Sequence, residues 1–269
     1  MPLRLIATDL DGTLLDSASA VSPRTRRALD AARAVGIHIV PVTARQPIGL
    51  RMIAAEAGFD DWALCGNGAY ATHLADGRML FAEALPAETV RTLAAALQAT
   101  LPGLLFASVR DGGETFVAQH GYAQIAKLAD HKRDPRTMGG VPLDQVLAEP
   151  SLKFVIRHPE LAPPALFDIL RRLGLTGFEA TLSGAPFVEV MAEGVTKATG
   201  LARLCEHLEV KRTDVVAFGD ALNDVEMLRW AGHSVAMAGA EQAVQDAADE
   251  VATSNDEDGV ARVIERMLG

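Results

Sequence analysis

A chain of 269 residues, 49% hydrophobic and 22% charged, has an ordinary soluble globular composition and is long enough for a well buried core in one large domain or two. Its formal net charge of -10 argues against a general nucleic-acid binder, which needs clustered Lys and Arg, but allows a small phosphorylated ligand in a pocket whose local cations reverse the sign. Cys65 and Cys205 form no metal or CxxC spacing and are expected as reduced thiols in a cytoplasm; Arg4, Asp9 and Asp11 leave no apolar core for a signal peptide, and no run of about 18 apolar residues offers a membrane span.

The first element is the stretch 5–15, LIATDLDGTLL, an apolar run feeding Asp9 and Asp11 and then Gly12 and Thr13. Residues two apart on a strand share a face, so the two carboxylates repel unless the strand ends there or a cation sits between them. Both conditions fit the carboxyl end of a parallel strand, where Gly12 permits a sharp turn and open α/β sheets bind ligands. Hard oxygen ligands with room for water suit Mg²⁺. A surface turn of Asp and Gly is the plain alternative for this segment taken alone.

Ser22 caps a helix that opens on Pro23 and stops at Gly36, with Ala28, Leu29, Ala32 and Val35 at helical spacing. Residues 37–42 read as a strand, 47–57 as a second helix and 62–65 as a third strand. This alternation predicts a doubly wound parallel sheet whose strand ends place Asp9 and Asp11, Thr43 and Asn67 along one edge. From about 83 to 188 the pattern changes to an Ala- and Leu-rich helix over 86–100, strands in LLFASVR and TFVAQ, a polar stretch over 130–140, strand SLKFVIR, a helix over 165–173 and alternating FEATL and FVEVM. That mixture predicts an inserted α+β cap over 84–187, with an α/β core formed by 1–83 and 188–269. The core resumes through a helix at 196–208, strand DVVAF ending at Gly219-Asp220, a helix from Asn223, and a closing amphipathic helix over 259–268.

Asp9-Leu10-Asp11-Gly12-Thr13, Thr43 at the end of the second strand, Lys197 opening a helix, and Gly219-Asp220-x-x-Asn223-Asp224 resemble the four motifs of the haloacid dehalogenase superfamily. The insertion after the third strand, Gly66-Asn67-Gly68-Ala69 and the run 190–197 resemble its Cof-type, class IIB sugar-phosphatase branch. The resemblance implies a Mg²⁺-dependent phosphatase acting through an aspartyl phosphate. Asp9 is then the nucleophile, and Asp11 the acid and base, a role that calls for a raised pKa. Mg²⁺ is held by Asp9, the Asp11 carbonyl and Asp220; phosphate is met by Leu10, Thr43, Ala44, Lys197 and Asn223, with Asp224 orienting Lys197 or a metal-bound water. Family members usually carry Thr-Gly-Arg where this chain has Thr43-Ala44-Arg45, and Lys-Gly-x-Ala-Leu where it has Lys197-Ala198-Thr199-Gly200-Leu201.

Read from the residues alone, several positions stay open. Thr43 is a phosphate ligand or a strand-ending cap; Arg45 contacts substrate or solvates the rim; Asn67 contacts substrate or phosphate, or is a left-handed turn residue. Asn223 equally suits a helix N-cap, with Asp224 favouring the helix dipole. Arg110, His120, Lys153, Arg157 and His158 either grip the leaving group or are solvated charges, and Glu189 and Glu193 line the pocket or a hinge. A signalling receiver shares the acidic pair, Thr and Lys but places its phospho-acceptor after the third strand, and a phosphomutase places its cap soon after the first motif. The expected partner is a small phosphorylated metabolite, with no nucleic acid or membrane, and the chain a monomer or small homo-oligomer.

Overall fold

In the computed structural model, which describes residues 3–269 so that Met1 and Pro2 of the expected core lie outside it, the opening apolar run forms β1 (Leu5–Thr8), buried at all four positions. Helix α1 (Pro23–Ala34) starts where expected, the Ser22 hydroxyl accepting the Thr25 N–H at 3.0 Å. Then follow β2 (His38–Pro41), α2 (Pro47–Ala57) with left-handed Gly58 behind it, and β3 (Trp62–Cys65). Beyond β3 the chain forms an unforeseen hairpin, β4 (Tyr70–His73) and β5 (Met79–Ala82), antiparallel to it. These two segments are short and lack hydrophobic alternation, so nothing local marks them as strands.

The inserted segment carries α3 (Ala87–Thr100), β6 (Leu105–Arg110), β7 (Thr115–Ala118), β8 (Lys153–Arg157), α4 (Pro163–Arg172), β9 (Phe178–Thr181) and β10 (Val188–Ala192). The chain then forms α5 (Lys197–His207), β11 (Val215–Gly219), α6 (Val225–Trp230), β12 (His233–Met237), β13 (Glu250–Ala252) and α7 (Gly259–Leu268).

The first sheet runs β13-β12-β11-β1-β2, parallel throughout, and β3 joins it beside β2 through a parallel bridge between Val42 and Leu64. Alternation along β1 sends Ile6 into one apolar cluster with Leu29 of α1 and Ile264 of α7, and Leu5 and Ala7 into another with Leu201 and Leu204 of α5. Helices thus cover both faces, as an all-parallel sheet requires.

The second sheet, β7-β6-β8-β10-β9, is antiparallel. Phe106, Phe154, Ile156, Val188 and Val190 pack under α3 and α4, while Ala107, Val109, Val155 and Met191 on the other face join the cluster containing Ile6 and Tyr70. One correction to the boundary at 187/188 follows. Strand β10 pairs with β8 and β9, Glu189 opposite Val155 and Thr181, so the second sheet extends to Ala192 and the return to the first sheet comes after it. FVEVM, whose alternation reads alongside FEATL, thus pairs with the inserted strands, and the expected boundary cut through it. Among the described residues no helix is long and apolar enough to cross a membrane.

Candidate active site

The carboxyl ends of β1 and β11 lie side by side, the Asp9 N–H donating to the Phe218 carbonyl at 3.0 Å. At the first residue of α5, Lys197 is buried and its Nζ donates to Asp9 Oδ1 at 2.7 Å and Asp224 Oδ1 at 2.6 Å. The other Asp224 oxygen accepts the N–H groups of Asp220 and Ala221, each at 3.0 Å. Asp220 is reached by the Thr13 hydroxyl, which donates to Oδ1 at 2.5 Å. Gly12, at φ +88°, makes this packing possible: a Cβ there would sit 2.3 Å from Asp220 Oδ2.

A cation at a helix N-terminus opposes the dipole, so the neighbouring carboxylates must supply the compensation. They supply more than that. Oxygens of Asp9, Asp220 and Asp224 lie within 4.8 Å of one another, and one ammonium, bonded to two of them, stands against three acidic groups, a surplus of acid in a largely buried space. Burial pushes the Asp9 pKa well up, Lys197 opposing this while Asp224 and Asp220 add to it. Burial likewise raises Asp220 to about 6, against the Thr13 hydrogen bond. Lys197 goes up: burial lowers it, but Asp224 and Asp9 outweigh that. A divalent cation would relieve the surplus, and an all-oxygen donor set suits a hard one. Asp224 has both oxygens engaged, so Asp9 and Asp220 are the freer donors.

Asp11 departs from expectation. Its carboxylate turns away from this cluster into the fork of Arg45, whose Nε and Nη2 donate to Oδ2 and Oδ1 at 2.6 Å each, and Lys132 Nζ lies 3.4 Å from Oδ1. Burial would raise its pKa, but the hydrogen bonds and charges of Arg45 and Lys132 outweigh it and hold the carboxyl below its ordinary value. The expected raised pKa is therefore corrected, and the Asp11 carboxylate is not among the clustered oxygens. Arg45 is itself buried, also donating to the Gly49 carbonyl at 3.0 Å, so it is no solvated rim charge.

The Thr43 hydroxyl accepts the Arg45 N–H at 3.0 Å, holding the loop after β2. Ala44 has no positive φ, so this loop does not need the glycine, and its carbonyl accepts from Lys153 Nζ at 2.8 Å. Leu10 is buried, its carbonyl accepting from Thr13 and Leu15 N–H. Asn67 is left-handed, φ +59°, and its side chain is also employed: Nδ2 donates to Glu189 Oε2 at 3.1 Å, and Oδ1 accepts from Asn223 Nδ2 at 2.9 Å.

Between the two sheets lies a cavity of about 390 Å³, lined among others by Asp11, Arg45, Lys132, Lys153, Phe187 and Glu189. Of the other inserted-segment candidates, Arg110 donates to Glu149 and to the Gln145 and Val146 carbonyls, and Arg157 pairs with Asp130 at 2.6 Å. His158 Nε2 lies 3.2 Å from the Pro102 carbonyl, and His120 and Glu193 are exposed. None of these five lines the cavity. Two that do were not foreseen, Lys132 and His131. His131 stacks on Phe187 at 4.6 Å, and burial together with Lys153, Arg157 and Arg133 pushes its pKa well down, so it is neutral. Both sit in the run His131-Lys132-Arg133, which reads as a solvated charge cluster; only the left-handed φ of Lys132, +52°, turns it toward Asp11.

Residues 6–264 match the haloacid dehalogenase-like hydrolase family. The chain is 27% identical over 289 residues to phosphatase YwpJ of Bacillus subtilis (strain 168), covering 99% of this chain and 100% of that one. It is 29% identical over 275 residues to pyridoxal phosphate phosphatase YbhA of Escherichia coli (strain K12), covering 98% of each. Its fold is similar to that of BT4131, a sugar phosphatase of haloacid dehalogenase subclass IIB, with a TM-score of 0.84 at 24% identity over 98% of each chain. With that match spanning both flanks of the carboxylate cluster and the inserted sheet between them, the chain belongs to the haloacid dehalogenase-like hydrolase family.

Proposed function

We propose that this chain, a phosphoric monoester hydrolase, cleaves a small phosphorylated metabolite such as a sugar phosphate, with Mg²⁺ and through a phosphorylated Asp9. The observation that carries the reading is Lys197 buried between Asp9 and Asp224, with Asp220 alongside, at a sheet edge that opens on a cavity of about 390 Å³. The relatives named for phosphorylated small molecules support the substrate class.

In this reading an Asp9 oxygen attacks phosphorus, the bond to the leaving oxygen breaks, and that oxygen takes a proton from Asp11. Water then attacks the phosphorylated Asp9, Asp11 accepts the proton, and phosphate leaves with the carboxylate restored. Lys197 stays charged throughout and meets the charge building on the phosphoryl oxygens. Thr43 and the Ala44 N–H hold a phosphoryl oxygen, and Asp224 keeps Lys197 in place. Asp11 starts ionised in the Arg45 fork, so a phosphate ester entering beside Arg45 and Lys132 competes for both cations and lets the freed carboxylate take up from solvent the proton it then donates. Asp9, Asp220 and the Asp11 carbonyl would hold Mg²⁺, which when bound would neutralise the repulsion between anionic nucleophile and anionic ester. The inserted sheet excludes bulk water and selects the leaving group.

Release of inorganic phosphate from p-nitrophenyl phosphate in the presence and absence of Mg²⁺ tests this. Asp9→Asn is expected to lower kcat by a factor on the order of 10⁴ or more; a variant retaining most of the activity would exclude Asp9 as nucleophile.

A further inference from the structure

We infer that Lys153 and Glu189 are positioning residues that tie docking of the inserted sheet to the geometry of the phosphate-binding loop 43–45 and of the Asn67–Asn223 contact. The inference rests on the phosphatase reading above for what that loop binds. Glu189 lies opposite Val155, so Lys153 is its diagonal neighbour on the same face, and that face points at the first sheet. Both side chains are at most 5% exposed, and Lys153 Nζ donates to Glu189 Oε1 at 2.5 Å.

A buried ion pair rarely outperforms apolar residues of the same shape as a source of stability, so packing alone does not account for it. What sets it apart is that each partner also bonds across the boundary. Lys153 donates to the Ala44 carbonyl at 2.8 Å, and Glu189 accepts from Asn67 Nδ2 at 3.1 Å. Asn67 in turn accepts from Asn223 Nδ2, beside the Asp224 that holds Lys197, and its N–H donates to the Thr43 carbonyl at 3.0 Å. One run of hydrogen bonds therefore reaches from the inserted sheet into two loops of the site. When the sheets separate, water replaces the contacts to the loops; when they meet, only a correctly placed Ala44 carbonyl and Asn67 amide can do so, because a buried donor or acceptor left without a partner is disfavoured. Docking thus favours the one loop arrangement that presents Thr43 and Asn223.

The test compares wild type, Lys153→Met, Glu189→Gln, Lys153→Arg and the double variant Lys153→Met/Glu189→Met. Four quantities are read: thermal midpoint, kcat and KM on p-nitrophenyl phosphate with Mg²⁺, and calorimetric Kd for orthophosphate. Each charge-removing single variant should weaken orthophosphate and lower kcat by about tenfold. Lys153→Arg, which can still reach the carbonyl, should retain most of both. The double variant should recover thermal midpoint without recovering Kd or kcat, and it carries the test if a single variant fails to fold. Full recovery of Kd and kcat in the double variant, or single variants that lose only stability, would overturn the inference. A wild type that releases no phosphate would sink the phosphatase reading, and the orthophosphate Kd would then decide the positioning role by itself.

Discussion

Replacing Lys197 by Met removes the ammonium from between Asp9 and Asp224 and keeps the length and apolar stem of the side chain. In the wild type Nζ bridges the two carboxylates at 2.7 and 2.6 Å, and neither Lys197 nor Asp224 exposes any side-chain surface. Removing one partner of such a buried group leaves uncompensated charge and costs about 3–5 kcal/mol. At about 2–4 °C per kcal/mol for a chain of this size, the metal-free thermal midpoint should fall by roughly 6–20 °C. Adding Asp224→Asn should recover part of this, because Asn removes the stranded charge while its Oδ1 still accepts the Asp220 and Ala221 N–H groups; the expected coupling is about 1–3 kcal/mol. The surplus of acid also gives a sign that simple packing damage would not. Removing Lys197 leaves the three acidic groups without the ammonium between them, so Mg²⁺ should raise the midpoint of Lys197→Met by more than it raises the wild type. Thermal unfolding with and without MgCl₂ measures both effects. A metal-free midpoint within about 2 °C of the wild type, or an equal Mg²⁺ response, would refute the electrostatic account of the site.

Gly12→Ala combines a positive φ with a Cβ 2.3 Å from Asp220 Oδ2, so Asp220 must move; the Mg²⁺ concentration for half-maximal activity should rise, with a stability loss of about 1–3 kcal/mol, both read by titration and thermal unfolding. Arg45→Met removes the main influence holding the Asp11 pKa down, so the limb of the kcat/KM pH profile that reports Asp11 should move to higher pH. Asp220 is raised by burial from 3.8 to about 6, so the folded metal-free protein binds its proton more tightly than the unfolded chain does. The stabilisation this gives is full below pH 3.8 and is lost as pH rises through about 6. Since a bound cation must displace that proton, calorimetric Mg²⁺ affinity should weaken by at least about tenfold per pH unit below that value.

Much of the framework follows from local signals. Ser22 and Pro23 start α1, Pro47 and Gly58 bound α2, and apolar runs ending in Asp, Thr or Asn mark β1, β2 and β3, because capping, proline geometry and burial periodicity act within a few residues of the chain. The motif spacing also named Asp9, Thr43, Lys197 and Asp220 as residues meeting at one rim. The hairpin β4–β5 was not legible, and the bound at 187/188 cut through β10, since both depend on which distant edge a short strand finds.

The direction of each side chain at the site was decided by tertiary structure. Sequence placed Asp11 two residues from Asp9; only the fold brings Arg45 and Lys132 round it and reverses the expected change in its pKa. Lys153 and Glu189 face the site because antiparallel pairing of β8 with β10 puts them on one face, and Lys132 does so through its left-handed backbone. Residue type and spacing along the chain determined which groups were available for phosphate chemistry and where the backbone would turn. Their charge states and partners belong to contacts such as Lys197 with Asp9, 188 residues apart, because a pKa answers to whatever lies within a few ångströms in space, and chain order carries no measure of that.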